Sequence, residues 1–178
     1  DTLNDAAIFN NTGSYRIRIA FNHNGQTTTF ANSVTLNSNK SGGTDQWSFL
    51  IGENANSHVT FMGSLTINVA GTLRSDHRFL NGPGSIGTFN GPVTINETNT
   101  NASTVVTMGV NGTASYAENI VMNNPGGTSG ITFNSGASAS STLASGKTIT
   151  IGGGGFTAGT LNLFRFMQTG PTAQTLTA

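Results

Sequence analysis

Short segments in which apolar and polar residues alternate recur along the chain at a regular interval. Five triplets carry an apolar residue at the first and third positions, and four of them carry threonine between. They are Val34-Thr35-Leu36, Leu65-Thr66-Ile67, Val93-Thr94-Ile95, Ile120-Val121-Met122 and Ile149-Thr150-Ile151. The intervals between them are 31, 28, 27 and 29 residues, so the chain contains an internal repeat of roughly 28 residues.

Two more columns of residues repeat with about the same period. An aromatic side chain precedes each of the first four triplets by four positions, and the equivalent position in the fifth repeat is Ser145. The aromatic residues are Phe30, Phe61, Phe89 and Tyr116. The other column is Phe49, Phe79, Val106, Phe133 and Phe164, with a glycine three positions after each of its first four members. Because independent columns share one period, the repeat is not a coincidence of composition.

The repeat predicts an all-β fold, a right-handed parallel β-solenoid (β-helix) of about six coils. Neighbouring side chains of a strand point to opposite faces, so we expect the outer residues of each triplet to point inward and the middle one outward. The predicted core columns are Phe30, Val34, Leu36, Phe49, Phe61, Leu65, Ile67, Phe79, Phe89, Val93, Ile95, Val106, Ile120, Phe133, Ile149 and Ile151. The predicted outward ladder is Thr35, Thr66, Thr94 and Thr150.

Asparagine follows four of the triplets directly, at Asn37, Asn68, Asn96 and Asn123. Stacking of the coils predicts that these residues form a ladder at a corner of the solenoid. Turn-rich stretches between the triplets indicate two or three short strands per coil. A β-sandwich is the alternative architecture, since short strands with frequent turn signals are typical of it too. The long shared period favours the solenoid.

We expect one domain over residues 1–178. Residues 1–29 form the first coil or a cap strand, residues 30–166 the repeats and residues 167–178 a C-terminal tail. Residues 15–21 are a candidate strand that closes the first coil, whereas residues 172–178 are too polar to form a good cap. Backbone groups left unpaired at the two ends favour stacking on another copy, or on adjacent repeats of a longer chain.

The composition predicts a polar but almost uncharged surface. Charged residues make up 8% of the chain, compared with about 25% in an average soluble protein. Seven basic residues balance seven acidic ones, so the clustered positive charge that nucleic acid requires is not indicated. The chain has no cysteine, which excludes disulfides and thiolate metal sites. No apolar run approaches the roughly 18 residues of a membrane span, and with no signal peptide evident we expect the mature form of an exported protein.

Three segments of the repeat resemble a known family. They are Thr60-Phe61-Met62-Gly63-Ser64-Leu65-Thr66-Ile67-Asn68, Thr88-Phe89-Asn90-Gly91-Pro92-Val93-Thr94-Ile95-Asn96 and Gly146-Lys147-Thr148-Ile149-Thr150-Ile151-Gly152. Together with residues 30–166 they look like the bacterial β-strand-repeat surface proteins, which include β-solenoid adhesins, autotransporter-like passengers and filament proteins. The resemblance implies an extracellular role in adhesion, matrix or filament building. It implies no ligand and no functional residue.

The densest group of ionisable residues is Arg74, Asp76, His77 and Arg78, with Lys40 and Asp45 about one coil earlier. Polysaccharide-active β-helix enzymes gather several carboxylates on one face, but only two come near this place. We therefore expect surface ion pairs, and we predict no catalytic, cofactor-binding or metal-binding residue and no cofactor. His23, His58 and His77 lie too far apart in sequence for a short metal-ligand pair and are expected in solvated loops.

Three other features have two interpretations each. The outward threonines suit an ordinary exposed strand face, or a flat face that orders water as in some ice-binding proteins. Trp47 is either an inward aromatic beside Phe49 or a platform on which a sugar stacks. The run of glycines at residues 152–155 is expected to form a close-packed corner or a flexible loop.

The sequence therefore predicts a secreted, extracellular structural protein rather than an enzyme. We expect a β-solenoid subunit or segment that stacks head to tail into a surface fibre or adhesin. Its expected partners are further copies of itself or adjacent repeats, with no nucleic acid and no membrane span. The alternatives are a carbohydrate-binding or adhesive module for glycans or a cell surface, a polysaccharide-active β-helix enzyme, and an ice-binding protein.

Overall fold

The chain winds into a stack of coils made of short parallel strands. The structure, a computed structural model, describes residues 1–20, 25–156 and 158–170. Within these ranges all nineteen strands belong to three parallel sheets, and no residue lies in a helix. The coils number about six, spaced roughly 28 residues apart. The predicted all-β solenoid is confirmed with three strands per coil, and the β-sandwich alternative is wrong.

Each sheet takes every third strand of the chain. Sheet A consists of β1 (Thr2–Leu3), β4 (Thr27–Phe30), β7 (His58–Phe61), β10 (Ile86–Phe89), β13 (Thr113–Tyr116), β16 (Ser140–Leu143) and β19 (Phe166–Gln168). Sheet B consists of β2 (Ala7–Asn11), β5 (Val34–Ser38), β8 (Leu65–Val69), β11 (Val93–Glu97), β14 (Ile120–Asn124) and β17 (Ile149–Phe156). Sheet C consists of β3 (Ile17–Ile19), β6 (Trp47–Ile51), β9 (Asp76–Phe79), β12 (Val105–Met108), β15 (Gly130–Phe133) and β18 (Thr160–Leu163).

The five triplets form the central part of sheet B. Parallel pairing aligns each triplet residue for residue with the next one. Their first and third residues are buried, apart from Ile151 in the last coil, which is half-buried, and their middle residues are half-exposed. The first coil adds a sixth triplet, Ala7-Ile8-Phe9, paired with β5. The sequence pattern missed it because the small Ala7 takes the first inward position and the more apolar Ile8 the outward one, which reverses the expected alternation.

An aromatic stack runs through the core behind sheet A. The rings of Phe30, Phe61, Phe89 and Tyr116 follow one another with centroids 5.0, 5.2 and 4.7 Å apart and interplanar angles of 9, 8 and 11°. In the next coil the equivalent position is Leu143, not Ser145. Residues 144–148 form a longer turn than residues 31–33 and 62–64, so counting back four positions from the fifth triplet missed the equivalent residue.

The single column expected in sheet C is wrong. The inward residues form two columns instead, of which one is Ile17, Phe49, His77, Val106, Ile131 and Leu161. The other is Ile19, Ile51, Phe79, Met108, Phe133 and Leu163, and Phe164 is 48% exposed outside both. The turns before these strands vary in length, so counting at a fixed interval selects residues that lie up to two positions away from the equivalent position in the strand. A difference of two positions keeps the side chain inward, which is why the expected column still selected buried phenylalanines.

The turns from sheet A to sheet B stack closely on one another. A Cβ on Gly63 would lie 2.5 Å from the carbonyl carbon of Asn32, and one on Gly91 would lie 2.3 Å from the carbonyl oxygen of Gly63. Only glycine allows backbones to approach this closely. Gly63 and Gly91 therefore allow these turns to stack in close contact.

Among the described residues, the core is incompletely covered at both ends of the stack. The partly buried apolar residues that pack against it are Phe9, Ile17, Ala20, Phe156, Leu161, Leu163 and Phe166, all near the first or last coil. The expected closing strand contains β3, an ordinary member of the first coil that pairs with β6. Phe21 and the tail at 172–178 lie outside the described residues. The glycine run expected in a corner or loop belongs to β17, whose pairing with β14 shifts register there.

Burial in the middle coils gives a direct test of the inside and outside faces. Ile95 is fully buried and Thr94 is half-exposed. We expect Ile95→Asp to lower the free energy of unfolding by more than about 4 kcal/mol, because a buried unpaired carboxylate is not tolerated. Thr94→Asp, the matched control, should cost at most about 1 kcal/mol. Urea unfolding measures both values, and equal losses would contradict the assignment of the faces.

Candidate ligand-binding groove on sheet C

Charged residues are concentrated on one part of the surface. Seven basic and seven acidic residues are spread over the sequence, but eight of them lie on or beside the first three strands of sheet C. They are Arg16, Arg18, Lys40, Asp45, Glu53, Arg74, Asp76 and Arg78. The outward positions of the same sheet in the later coils are held by neutral residues, Thr107, Thr132 and Asn162. The first three coils therefore present a distinct surface.

This surface contains an open groove of about 750 Å³. The first coil contributes Tyr15, Arg16 and Arg18 to its lining. The second coil contributes residues 44–47, which end the long turn between sheets B and C and begin β6. Gly43 anchors this turn: its φ is +95°, and a Cβ there would lie 2.5 Å from that of Ser14. A glycine is needed at this position to hold the turn against the first coil.

Asp45 is fixed at the centre of the groove. Its carboxylate accepts hydrogen bonds from Arg16 Nε at 2.7 Å and Arg16 Nη2 at 3.3 Å, and from the backbone N–H of Trp47 at 3.0 Å. Burial favours its neutral form, but the Arg16 guanidinium and the Trp47 N–H outweigh it and hold the pKa of Asp45 below its usual range. Asp45 is therefore a charged, preorganised acceptor at neutral pH.

Lys40 supports the groove from within the turn. Its side chain is buried, and its Nζ donates hydrogen bonds to the backbone carbonyls of Asp45 and Trp47. Burial lowers the pKa of Lys40, while the nearby carboxylates of Asp45 and Asp76 oppose this change. Lys40 thus fixes the backbone of the turn through these two hydrogen bonds.

Trp47 lies on the outer face of sheet C rather than in the core beside Phe49. Arg78 from the next coil stacks on its ring, with Cζ 3.8 Å from the ring centroid. Trp47 also belongs to the lining of the groove, together with residues of the first and second coils. The interpretation of Trp47 as an inward aromatic is wrong, because its strand position points outward next to Asp76 of β9.

The expected surface cluster around residue 76 is partly buried. Asp76 has no exposed surface, and its carboxylate pairs with Arg74 Nη2 at 2.7 Å and accepts the backbone N–H of Val105 at 3.2 Å. Burial raises the pKa of Asp76, against the effect of Arg74. Asp45 and Asp76 are thus each held by a different arginine. One of the predicted ion pairs, Arg16–Asp45, lies in the open groove, whereas the carboxylate of the other, Arg74–Asp76, is buried.

His77 is a core residue, not the solvated loop histidine expected from the sequence. It has no exposed surface and packs against Phe49 with ring centroids 5.4 Å apart. Burial lowers the pKa of His77 to about 3. Of the other histidines, His58 is half-exposed on sheet A, and His23 lies outside the described residues.

A second buried titratable group occupies the corner between sheets B and C. Glu97 lies in an inward column that also contains Asn11, Ser38, Val69 and Asn124. Its Oε1 accepts the backbone N–H of Asn99 at 2.8 Å. Burial raises the pKa of Glu97 to about 7, although the Asn99 N–H opposes the rise. Nothing in the sequence indicated this environment, because the equivalent position in the neighbouring coils is neutral.

The outer faces of sheets A and B carry regular neutral columns. The asparagines form the expected ladder, with amide hydrogen bonds of 2.7–2.8 Å that also include Asn10. The ladder lies within the strands of sheet B and not at a corner, and Gly152 takes its place in the last coil. Sheet A adds an in-register hydroxyl column that sequence reasoning missed: Thr2, Thr29, Thr60, Thr88, Ser115 and Thr142.

No protein-family model, curated protein or solved structure matches this chain. Among the described residues, no group of three or more His, Cys, Asp or Glu side chains is placed to hold a metal ion. The same part of the chain contains no helix long and apolar enough to cross a membrane. The groove on sheet C is therefore interpreted from its own residues.

The raised pKa of Glu97 predicts a contribution to stability that falls with rising pH. Glu97 binds fewer protons in the unfolded chain than in the folded chain between its ordinary pKa of 4.5 and about 7, so its contribution to the free energy of unfolding decreases across this range. At roughly 1.4 kcal/mol per pKa unit, the loss approaches about 3 kcal/mol. Urea unfolding at a series of pH values measures it.

Glu97→Gln should remove this contribution and keep the bond to Asn99. Because His77 contributes the opposite slope below about pH 6.5, the stability of the variant should rise with pH there. The matched control is Glu118→Gln, because Glu118 is 40% exposed and pairs with Lys147 on the surface. The control should leave the slope unchanged. A Glu97→Gln profile identical to that of the unchanged chain would contradict the raised pKa of Glu97.

His77 predicts the opposite dependence at low pH. Its folded pKa of about 3 lies below the ordinary 6.5, so the unfolded chain binds more protons and stability falls as the pH drops below about 6.5. His77→Leu should remove this loss, whereas His58→Leu on the outer face should not. Thermal unfolding between about pH 4 and pH 7 separates the two variants, and identical pH profiles for both would refute the buried neutral histidine.

Proposed function

We propose that this protein is an extracellular structural unit whose solenoid coils pair end to end with further copies to form a fibre. The observation that carries the proposal is the incomplete cover of the core at both ends. Phe9 and Ile17 at one end, and Leu161 and Leu163 at the other, are only partly buried, whereas their equivalents in the middle coils are fully buried. Burial of such apolar surface favours association.

The backbone at the two ends supports pairing in the same geometry. Strands β2 and β3 at the first coil, and β17 and β18 at the last, have a paired neighbour on one side only among the described residues. An unpaired strand edge is a template for another strand. If β17 and β18 of one copy pair with β2 and β3 of the next, sheets B and C continue without interruption.

Sheet A imposes a condition on this junction. It has seven strands, one more than sheet B or sheet C. In a continued stack, β19 of one copy lies at the level that β1 occupies in the next copy, directly against β4. Since β1 is only two residues long and pairs through Thr2 and Leu3, we expect β19 to displace it.

The composition supports an exposed location for such a fibre. Charged residues make up 8% of the chain, and the outer columns of sheets A and B are mainly Thr, Ser and Asn. Lateral pairing between side walls would compete with end-to-end growth. The side walls resist it mainly because all inner strands are already paired on both sides, and charge contributes less. We propose no catalytic activity for this protein.

End-to-end association predicts polymers whose formation depends on the end coils. Purified protein should form rods that lengthen with concentration, as measured by sedimentation and electron microscopy. Phe9→Lys should abolish them, because it places a charge in the surface that the next copy covers. The matched control is Ile8→Lys on the same strand, where the side chain is 66% exposed on the side wall, and it should still polymerise.

Removal of residues 1–5 tests the junction itself. Without β1, the edge of β4 is open from the start, so polymers should form at lower concentration than with the full chain. Monodisperse monomers over the whole concentration range would overturn the proposal. Equal loss of polymers in Phe9→Lys and Ile8→Lys would show that association does not use the ends.

A further inference from the structure

We propose that the groove between Tyr15 and Trp47 on the outer face of sheet C binds an oligosaccharide that carries carboxylate or sulfate groups. This site is on the side wall of the solenoid and is independent of end-to-end association. It would give the protein a binding activity in addition to its structural role.

The groove is a local departure from an otherwise regular wall. Residues 39–46 form the longest of the five fully described turns between sheets B and C. This turn brings Thr44, Asp45 and Gln46 up to the first coil. The solenoid would close equally well with a short turn such as residues 125–129, so the extra length is not needed to complete the coil.

Asp45, Trp47 and the turn that carries them are held in place before any ligand arrives. Arg16 and the Trp47 N–H fix Asp45, the buried Lys40 holds the turn, and Arg78 covers one face of Trp47. A preorganised site loses less conformational entropy on binding. This arrangement favours a specific site over a chance depression.

The lining suits a polyhydroxylated ligand. Trp47 and Tyr15, which is 81% exposed, offer amphipathic rings on which the apolar face of a sugar can lie. Between them, Asp45 and Gln46 supply acceptors and donors, which matches hydroxyl groups that both donate and accept. The groove is open and mostly polar, unlike the enclosed apolar pockets that drug-sized molecules occupy.

The charge of this surface favours an acidic sugar. The eight charged residues around the groove comprise five basic and three acidic side chains. Asp45, Glu53 and Asp76 pair with Arg16, Arg18 and Arg74, respectively. The groove lining itself contains two arginines, Arg16 and Arg18, and one carboxylate, Asp45, and planar guanidinium groups suit a carboxylate or sulfate.

Binding of a matched pair of sugars tests this site. The acidic probe is a tetramer of β-1,4-linked glucuronic acid, and the neutral probe is cellotetraose, which has the same backbone with hydroxymethyl groups in place of the carboxylates. Calorimetric titration should show that the acidic tetramer binds about tenfold or more tightly than the neutral one, and that added salt narrows the difference.

Variants locate the bound sugar. Tyr15→Ala and Trp47→Ala should each weaken binding of the acidic tetramer by about tenfold or more. Tyr15 is so exposed that its loss cannot unfold the chain, which keeps the test valid if Trp47→Ala is unstable. The matched control, Met62→Ala, removes a side chain that is 50% exposed in a turn elsewhere and should bind normally.

Three results would overturn the proposal. Failure of the chain to bind either tetramer would exclude an oligosaccharide site of this kind. Unchanged affinity in Tyr15→Ala and Trp47→Ala would place any bound sugar outside the groove. Equal affinity for the two tetramers would refute the selection of an acidic sugar.

Discussion

Parallel hydrogen bonding between successive coils is the interaction on which the rest of this structure depends. Each inner strand pairs with the equivalent strands of the coils before and after it, at the spacing of about 4.8 Å that strand pairing imposes. Side chains therefore meet their own equivalents along the stack. A column works only if its residue type can pack on itself, which is why phenylalanine follows phenylalanine inside and asparagine follows asparagine outside.

The same constraint explains where the sequence is strict and where it is free. Turns from sheet A to sheet B are short and lie close to their neighbours, so Gly63 and Gly91 are required there. Turns from sheet B to sheet C differ in length from coil to coil, because only the strands on either side must keep their register. The groove on sheet C uses this freedom: its residues come from the longest such turn without any change in the sheets beneath.

Self-stacking also defines the problem at the ends. An inner coil has its backbone hydrogen-bonded and its apolar side chains buried by a neighbouring coil on each side. The first and last described coils have such a neighbour on one side only. The two functional proposals follow from different parts of this arrangement. End-to-end assembly uses the groups that stacking leaves unsatisfied, whereas sugar binding uses a side wall that stacking leaves free to vary.

The sequence by itself determined the class of fold, the period and the faces of sheet B. Period-two alternation and a repeat of about 28 residues are properties of the backbone, and Val93, Thr94 and Ile95 display both without any tertiary information. Only the tertiary structure decided the register in sheet C, the burial of His77 and Glu97, and the groove beside Trp47. These features depend on turn lengths that shift one strand against the next, and on contacts between residues about 30 positions apart, such as Arg16 with Asp45 and Trp47 with Arg78. A repeat fixes which residues are equivalent, but the stacked turns decide which non-equivalent residues meet.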